Sequence, residues 1–258
     1  MNKIGVVGCG WLGLPLSKHL ATKYSRVKGT SRNTIKLEEM QHANVDAFLI
    51  DIESTIIKGN FKAFIRDLDT LVIGLNANKS EEYFDKIELL SRYVAESDVK
   101  KIIFLSTISV YDNINKVVDE SDEINEQSLY IRVENIFKNN NRFLTTVLRL
   151  GGLIGEDRHP IKHLSGKNIE QNPKTPINLV HLNDCINVIT KVIEQDIWNE
   201  TFNVVYPYHP TKEEYYTAKA REYNLEAPIY DDSVSFKGKV VSSSKIMEKL
   251  NYIFKYEI

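Results

Sequence analysis

The chain has 258 residues, 42% of them hydrophobic and 26% charged, with a formal net charge of −2. That length suits one large domain, or one domain with a subdomain, and the composition suits an ordinary water-soluble globular protein. A charge this near zero sets up no global field to select nucleic acid or an anionic membrane, and no apolar run is long enough to span a bilayer.

In chain order, the opening MNKIGVVGCGWLG has the apolar character of a leader segment, but glycines interrupt it and no cleavage site follows. It reads as a strand, Ile4–Val7, and a turn. Further β-branched runs follow at similar intervals: RVKGT (26–30), AFLID (47–51), LVIGL (71–75) and IIFLS (102–106). Continuous apolar strands imply burial on both faces, as in a parallel sheet covered by helices. Between them, SEEYFDKIELLSRYVAES places Tyr83, Ile87, Leu90 and Val94 at helical spacing, with Ser80 as N-cap and Glu81 and Glu82 in the positive first turn. After about residue 150 the rhythm loosens. TTVLRL (145–150), INLVHL (177–182) and FNVV (202–205) read as strands separated by Pro-, Asn- and His-richer segments. The expected fold is α/β: a doubly wound parallel sheet over residues 1–150, with a smaller substrate-side subdomain over 151–258 packed on and interleaved with it.

GCGWLG, Gly8 to Gly13, follows the first strand directly and opens a helix. Gly8 permits the tight turn, Gly10 lets a pyrophosphate approach the backbone, and Gly13 lets the helix pack close to the sheet. N–H groups at the helix start then face the anion. With these glycines, Trp11, Leu12 and Leu75 are candidate cofactor-binding residues. The place about 20 residues on, where an NAD site carries an acid for the ribose, reads KGTSRN (28–33) and has none. Ser31 and Arg32 offer a hydroxyl and a guanidinium suited to a 2′-phosphate. The expected cofactor is therefore NADP, with NAD as the alternative. Asp51 is expected to end the third strand beside Ile52 and accept from the adenine amino group.

IIFLSTISVY (102–111), taken with the glycine loop, resembles the extended short-chain dehydrogenase/reductases, in their epimerase/dehydratase branch. Asp119–Glu120, LRLGGLIG (148–155), NLVHLNDC (178–185) and the C-terminal VVSSSKIMEKLNYIFKY continue that resemblance along nearly the whole chain. It implies a Rossmann core, nicotinamide chemistry and Thr107 as the catalytic Ser or Thr. It also implies a tyrosine–lysine pair, YxxxK. Two alignments compete for that pair. One makes Tyr130 of YIRVE the tyrosine and puts Glu134 where lysine belongs. The other makes Glu134 the glutamate four residues past the lysine, which places Tyr130 at the lysine site and Glu126 at the tyrosine site. Neither gives an intact pair, so the chain resembles an atypical member of the family. A tyrosine hydroxyl ordinarily titrates near 10; a nearby ammonium lowers that value and a carboxylate raises it. The candidate catalytic residues are Thr107 and Tyr130.

GEDRHPIKHLSGK (155–167) gathers basic residues around Pro160, a residue type suited to a helix start. Arg158 and His159 are the candidate substrate-binding residues, for a phosphate or carboxylate. Cys9 and Cys185 have no metal-type spacing and read as reduced thiols of a cytoplasmic protein, and no metal site is expected. The sequence thus points to an NADP-preferring, epimerase/dehydratase-like oxidoreductase that acts slowly or on an unusual small, anionic substrate, with nucleotide sugars one candidate class. No nucleic-acid or membrane partner is expected. The alternative function is a non-catalytic NADP-binding sensor or scaffold.

Overall fold

A computed structural model describes residues 3–76 and 80–258. The first elements are β1 (Ile4–Val7), α1 (Gly13–Lys23), β2 (Val27–Ser31), α2 (Thr34–His42), β3 (Asp46–Leu49), β4 (Asp51–Ile52), β5 (Ile57–Lys58), α3 (Phe61–Ile65), β6 (Thr70–Ile73), α4 (Glu81–Ala95) and β7 (Lys101–Thr107). A 3-10 turn (Ile108–Val110) leads to β8 (Val117–Val118), α5 (Leu129–Lys138), β9 (Leu144–Leu150), β10 (Gly152–Ile154), α6 (Ile161–Leu164), β11 (Asn168–Ile169), β12 (Leu179–His181) and α7 (Leu182–Glu194). The chain continues through β13 (Thr201–Val204), α8 (Lys212–Glu222), β14 (Ile229–Tyr230), β15 (Val240–Val241) and α9 (Ser244–Lys249).

Seven strands form one parallel sheet in the order β13-β9-β7-β6-β1-β2-β3. The chain starts in the middle at β1, winds outward to β3, then returns to β6 beside β1 and winds the other way. This is the doubly wound Rossmann arrangement, and its switch point lies between β1 and β6, the crevice where such sheets bind ligands. The registers Val6↔Gly29 and Val7↔Ile73 bring the ends of β2 and β6 level with the end of β1. One expected strand breaks early. In AFLID the sheet strand ends at Leu49, and Asp51–Ile52 pair antiparallel with Ile57–Lys58 instead.

Two compact units divide the chain. The first comprises 1–110, 125–149 and 186–202; the second comprises 111–124, 150–185 and 203–258. The core of the first joins β6 and β7 to Tyr83, Ile87, Leu90 and Val94, which form the buried stripe of α4. Each such aliphatic side chain contributes about 1.5–3 kcal/mol by leaving water. Lys28 lies inside buried β2, and its ammonium donates to the carbonyls of Ala63 (3.0 Å) and Arg66 (2.8 Å) at the end of α3. That suits a cation to the negative end of a helix, while burial holds the Lys28 pKa below the ordinary lysine range. The second unit has its own core of Ile154, Ile161, Ile177, Leu179, Tyr215, Tyr216 and Ala220. Among the described residues no helix is long and apolar enough to cross a membrane.

Candidate functional site

The glycine loop sits at the switch point. Gly8 has φ +87°, and a Cβ there would meet the Gly74 carbonyl oxygen at 2.6 Å, because the Gly74 N–H already donates to the Val7 carbonyl (3.0 Å). A Cβ on Gly13 would collide with the Gly8 carbonyl, so Gly13 is fixed by the close packing of α1. Gly10 differs: among the described residues a Cβ there would meet only the Gly8 oxygen, at 3.9 Å, so packing within them does not require a glycine at this position. The loop is held from β2, where the Thr30 hydroxyl and carbonyl accept from the N–H groups of Gly8 (3.0 Å) and Cys9 (2.7 Å). Cys9 packs inward, and burial pushes its thiol up to about 12, so it is an inert space-filler. Leu12 is buried at the start of α1, Trp11 is half-buried, and Leu75 lies beside Gly8 at the end of β6.

The end of β2 presents Ser31 and Arg32. Ser31 is buried and its hydroxyl oxygen accepts from the Asn33 N–H (3.1 Å), while Arg32 is exposed. Asn33 caps α2 by accepting from the Ile35 N–H (2.9 Å). The residues at this strand end are thus a hydroxyl, a guanidinium and a capped helix start, without a carboxylate. Asp51, half-buried, lies opposite Lys58 in the β4–β5 pair, and Ile52 is buried beside it.

At the end of β7, the Thr107 hydroxyl donates to the Ser109 hydroxyl and accepts from the Ser109 N–H, both at 3.1 Å. Tyr130 is half-buried in the first turn of α5. Glu134, one turn later, is 0% exposed. Its Oε2 accepts from Arg149 Nη2 (2.8 Å), and its Oε1 from Arg149 Nε (3.1 Å) and from the Ser106 hydroxyl (2.6 Å). Arg149 is 2% exposed on β9. The bidentate geometry and the third donor make this a satisfied buried ion pair, which clamps α5 to β7 and β9. Tyr83 of α4 lies close to both Tyr130 and Glu134; burial foremost, with their charges added, pushes its hydroxyl well above the tyrosine range. The YIRVE spelling carried no sign of this clamp, because its partners lie 28 and 15 residues away in sequence.

In the second unit Arg158 is exposed, whereas His159 turns inward and is 4% exposed. Its Nδ1 accepts from the Ile161 N–H (3.2 Å), so Nε2 carries the proton and donates to the Tyr215 hydroxyl (2.8 Å). The ring stacks on Tyr215 and lies against Tyr223, and burial lowers its pKa to about 4. The expectation that His159 reaches for an anion is therefore corrected: both nitrogens are spent inside an aromatic core. Asp184 is likewise internal, accepting from the Tyr252 hydroxyl (2.5 Å) and the Lys255 and Tyr256 N–H groups (3.1 Å each), so it ties down the C-terminal segment. His181 stacks on Tyr256. A cleft of about 400 Å³ opens elsewhere in this unit, among Asn172, Thr175, Asn178, Lys212, Lys237 and Lys239. Burial lowers the Lys212 pKa; its ammonium donates to the Gln171 side-chain oxygen, and Glu170 also lines the cleft. These three lysines were not singled out from the sequence because they are scattered along it, without motif spacing. Among the described residues no group of three or more His, Cys, Asp or Glu is arranged to hold a metal ion.

The chain resembles solved structures over nearly its whole length. MoeE5 in complex with UDP-glucose and NAD superposes with a TM-score of 0.81 at 15% identity, over 100% of this chain and 95% of that one. UDP-glucuronic acid 4-epimerase from Bacillus cereus in complex with NAD gives 0.79 at 16%, over 99% and 92%. A functionally unknown conserved protein from Silicibacter pomeroyi gives 0.77 at 19%, over 99% and 94%. At these identities the likeness establishes the fold. No family model matches the sequence. Protein YeeZ of Escherichia coli K12 is 30% identical over 266 residues, which span 99% of this chain and 97% of that protein. An identity of that size, sustained from end to end of both chains, shows that the chain belongs to the YeeZ family.

Proposed function

We propose that this protein is an NADP-preferring, epimerase/dehydratase-like oxidoreductase acting on a small anionic substrate. The observation that carries the reading is the switch-point loop: among the described residues nothing crowds Gly10, where a pyrophosphate would lie, and the adjoining strand end carries Ser31 and Arg32 in place of an acid. Gly8, Gly10 and Gly13 with the start of α1 would hold the pyrophosphate, Ser31 and Arg32 the 2′-phosphate, and Asp51 the adenine amino group. The bound nicotinamide would supply hydride transfer. Thr107, at the end of β7, would turn its hydroxyl from Ser109 toward the reacting oxygen.

The solved structures with NAD and UDP-sugars support nucleotide sugars as the first substrates to try. The lysine-lined cleft of the second unit supports an anionic substrate more strongly than the stretch around His159 does. The test is a titration of NADPH and NADH against wild type, Arg32→Ala and Gly10→Val. NADPH should bind more tightly. Loss of an Arg–phosphate contact costs about 1.5–3 kcal/mol, so Arg32→Ala should cut the preference about tenfold or more. Gly10→Val should stay folded and lose both cofactors. Equal wild-type affinities overturn the NADP preference, and Gly10→Val binding at wild-type strength overturns the loop assignment. The second reading, a dinucleotide-binding sensor or scaffold, draws on Glu134 being locked in an ion pair beside Tyr130. It would show tight NADPH binding with no turnover.

A further inference from the structure

One wall of the cleft in the second unit is the stretch from Val234 to Val241, irregular until β15 begins at Val240. Three asparagines from elsewhere in the unit hold it. The Asn172 side-chain amide donates to the Val234 carbonyl (2.8 Å). Asn115 donates to the Phe236 carbonyl (3.2 Å) and accepts from the Gly238 N–H (2.8 Å). Asn178 donates to the Lys239 carbonyl (2.9 Å) and accepts from the Val241 N–H (2.8 Å). Backbone groups outside a ladder have thus been given fixed partners, and the loop arrives with its geometry already set. Gly238 lets it approach Pro176 closely, since a Cβ there would meet the proline ring at 2.8 Å.

This wall brings Lys237 and Lys239 to the cleft, and the start of α8 brings Lys212. Lys239 donates to the Tyr111 carbonyl. Lys212 is half-buried in the first turn of a helix, its positive end. Both features disfavour an ammonium, and an anion in the cleft relieves both. The three ammonium groups outnumber the lining carboxylate, Glu170, by two charges. A phosphate monoester, at about −1.5 to −2 near neutrality, matches that excess better than a single carboxylate does. Among the described residues, only Pro176 and Val234 add apolar side chains to the lining, and no aromatic ring does; Phe236, between Ser235 and Lys237, lies outside it. A nucleotide base is held by stacking on flat side chains, which this lining does not offer. Sugar hydroxyls, in contrast, find a carboxylate acceptor in Glu170 and an amide in Asn113, both exposed.

We propose that this cleft binds a sugar phosphate and not a nucleotide sugar, with Lys212, Lys237 and Lys239 on the phosphate and Glu170 and Asn113 on the hydroxyls. The inference names a substrate class for the anionic-substrate reading above and rests on that reading.

The test is calorimetric titration of the full chain, without cofactor, using glucose-6-phosphate, ribose-5-phosphate and glycerol-3-phosphate as probes beside inorganic phosphate, glucose, UMP and UDP-glucose. At least one sugar phosphate should bind about tenfold or more tightly than inorganic phosphate or glucose, and neither UMP nor UDP-glucose should displace it. Loss of a charge-assisted contact should weaken that ligand about tenfold or more in Lys212→Gln and in Lys237→Gln, and Lys212→Arg should recover part of the loss. Lys237 is exposed, so its variant reads binding without a threat to folding. Lys174→Gln, which removes an exposed charge outside the lining, should leave binding unchanged. Glu170→Ala should narrow the gap between the sugar phosphate and inorganic phosphate. UMP or UDP-glucose binding more tightly than every sugar phosphate overturns the proposal and leaves the anionic-substrate reading standing. Inorganic phosphate binding as tightly as the sugar phosphates overturns it too, as do wild-type affinities in both Lys212→Gln and Lys237→Gln. Absence of binding by every anion defeats the anionic-substrate reading itself, and this proposal with it.

Discussion

Glu134 shows how a single residue changes meaning once its surroundings are known. In the sequence it is a carboxylate four residues after a tyrosine; in the structure it is a buried anion held by Arg149 and Ser106. Removing one member of such a pair strands the other charge, at a cost of about 3–5 kcal/mol, whereas replacing both with apolar groups of similar volume is often near neutral. Glu134→Gln should therefore lower the urea midpoint sharply, and Glu134→Leu combined with Arg149→Met should recover most of the loss. A double variant as unstable as the single one would mean that the clamp contributes through Ser106 and not through its charges.

At the scale of elements, two helices of the first unit start on side-chain caps, of which Ser80 was legible in the sequence. Ser80 accepts from the Tyr83 N–H (3.3 Å) at the start of α4, and Asn60 does the same for the Ala63 N–H (3.0 Å) at the start of α3. Losing a serine cap costs about 1 kcal/mol. Ser80→Ala should thus lower the melting temperature by roughly 2–4 °C in a chain of this size, with cofactor binding unchanged. In the second unit, Thr211 and Glu214 form a reciprocal capping box at the start of α8, the helix that presents Tyr215 to His159.

Across the whole molecule, stability should depend on the charge state of that buried histidine. The His159 pKa falls to about 4 in the fold against an ordinary 6.5. Between those values the unfolded chain binds a proton that the folded chain refuses, so stability is lost as pH falls from 6.5 toward 4. The loss from this group reaches about 3 kcal/mol at most. Urea midpoints measured from pH 7 down to 5, above most carboxylate titration, should fall in wild type and stay flatter in His159→Phe. Equal slopes in the two proteins would show that His159 is not the group responsible.

The sequence by itself determined what depends on neighbours along the chain. The apolar runs marked the central strands, and the spacing of Tyr83, Ile87, Leu90 and Val94 marked the buried face of α4. Gly8 and Gly13 were legible because only glycine answers the backbone geometry and packing at those places. Tertiary structure decided what depends on residues distant in sequence. AFLID reads as one strand, yet its run in the sheet ends at Leu49 and Asp51 pairs with Lys58, which no local period encodes. His159 looked like a basic surface group until Tyr215, 56 residues away, took its ring nitrogen. Of the two readings of YIRVE, the one that shifts the pair by a turn had the more natural distance to Arg149 in the sequence. Only the fold shows Glu134 set against Ser106 and Arg149, with Phe137 against Phe104. A buried carboxylate must find its donors wherever the fold supplies them, and the fold brings those donors from β7 and β9.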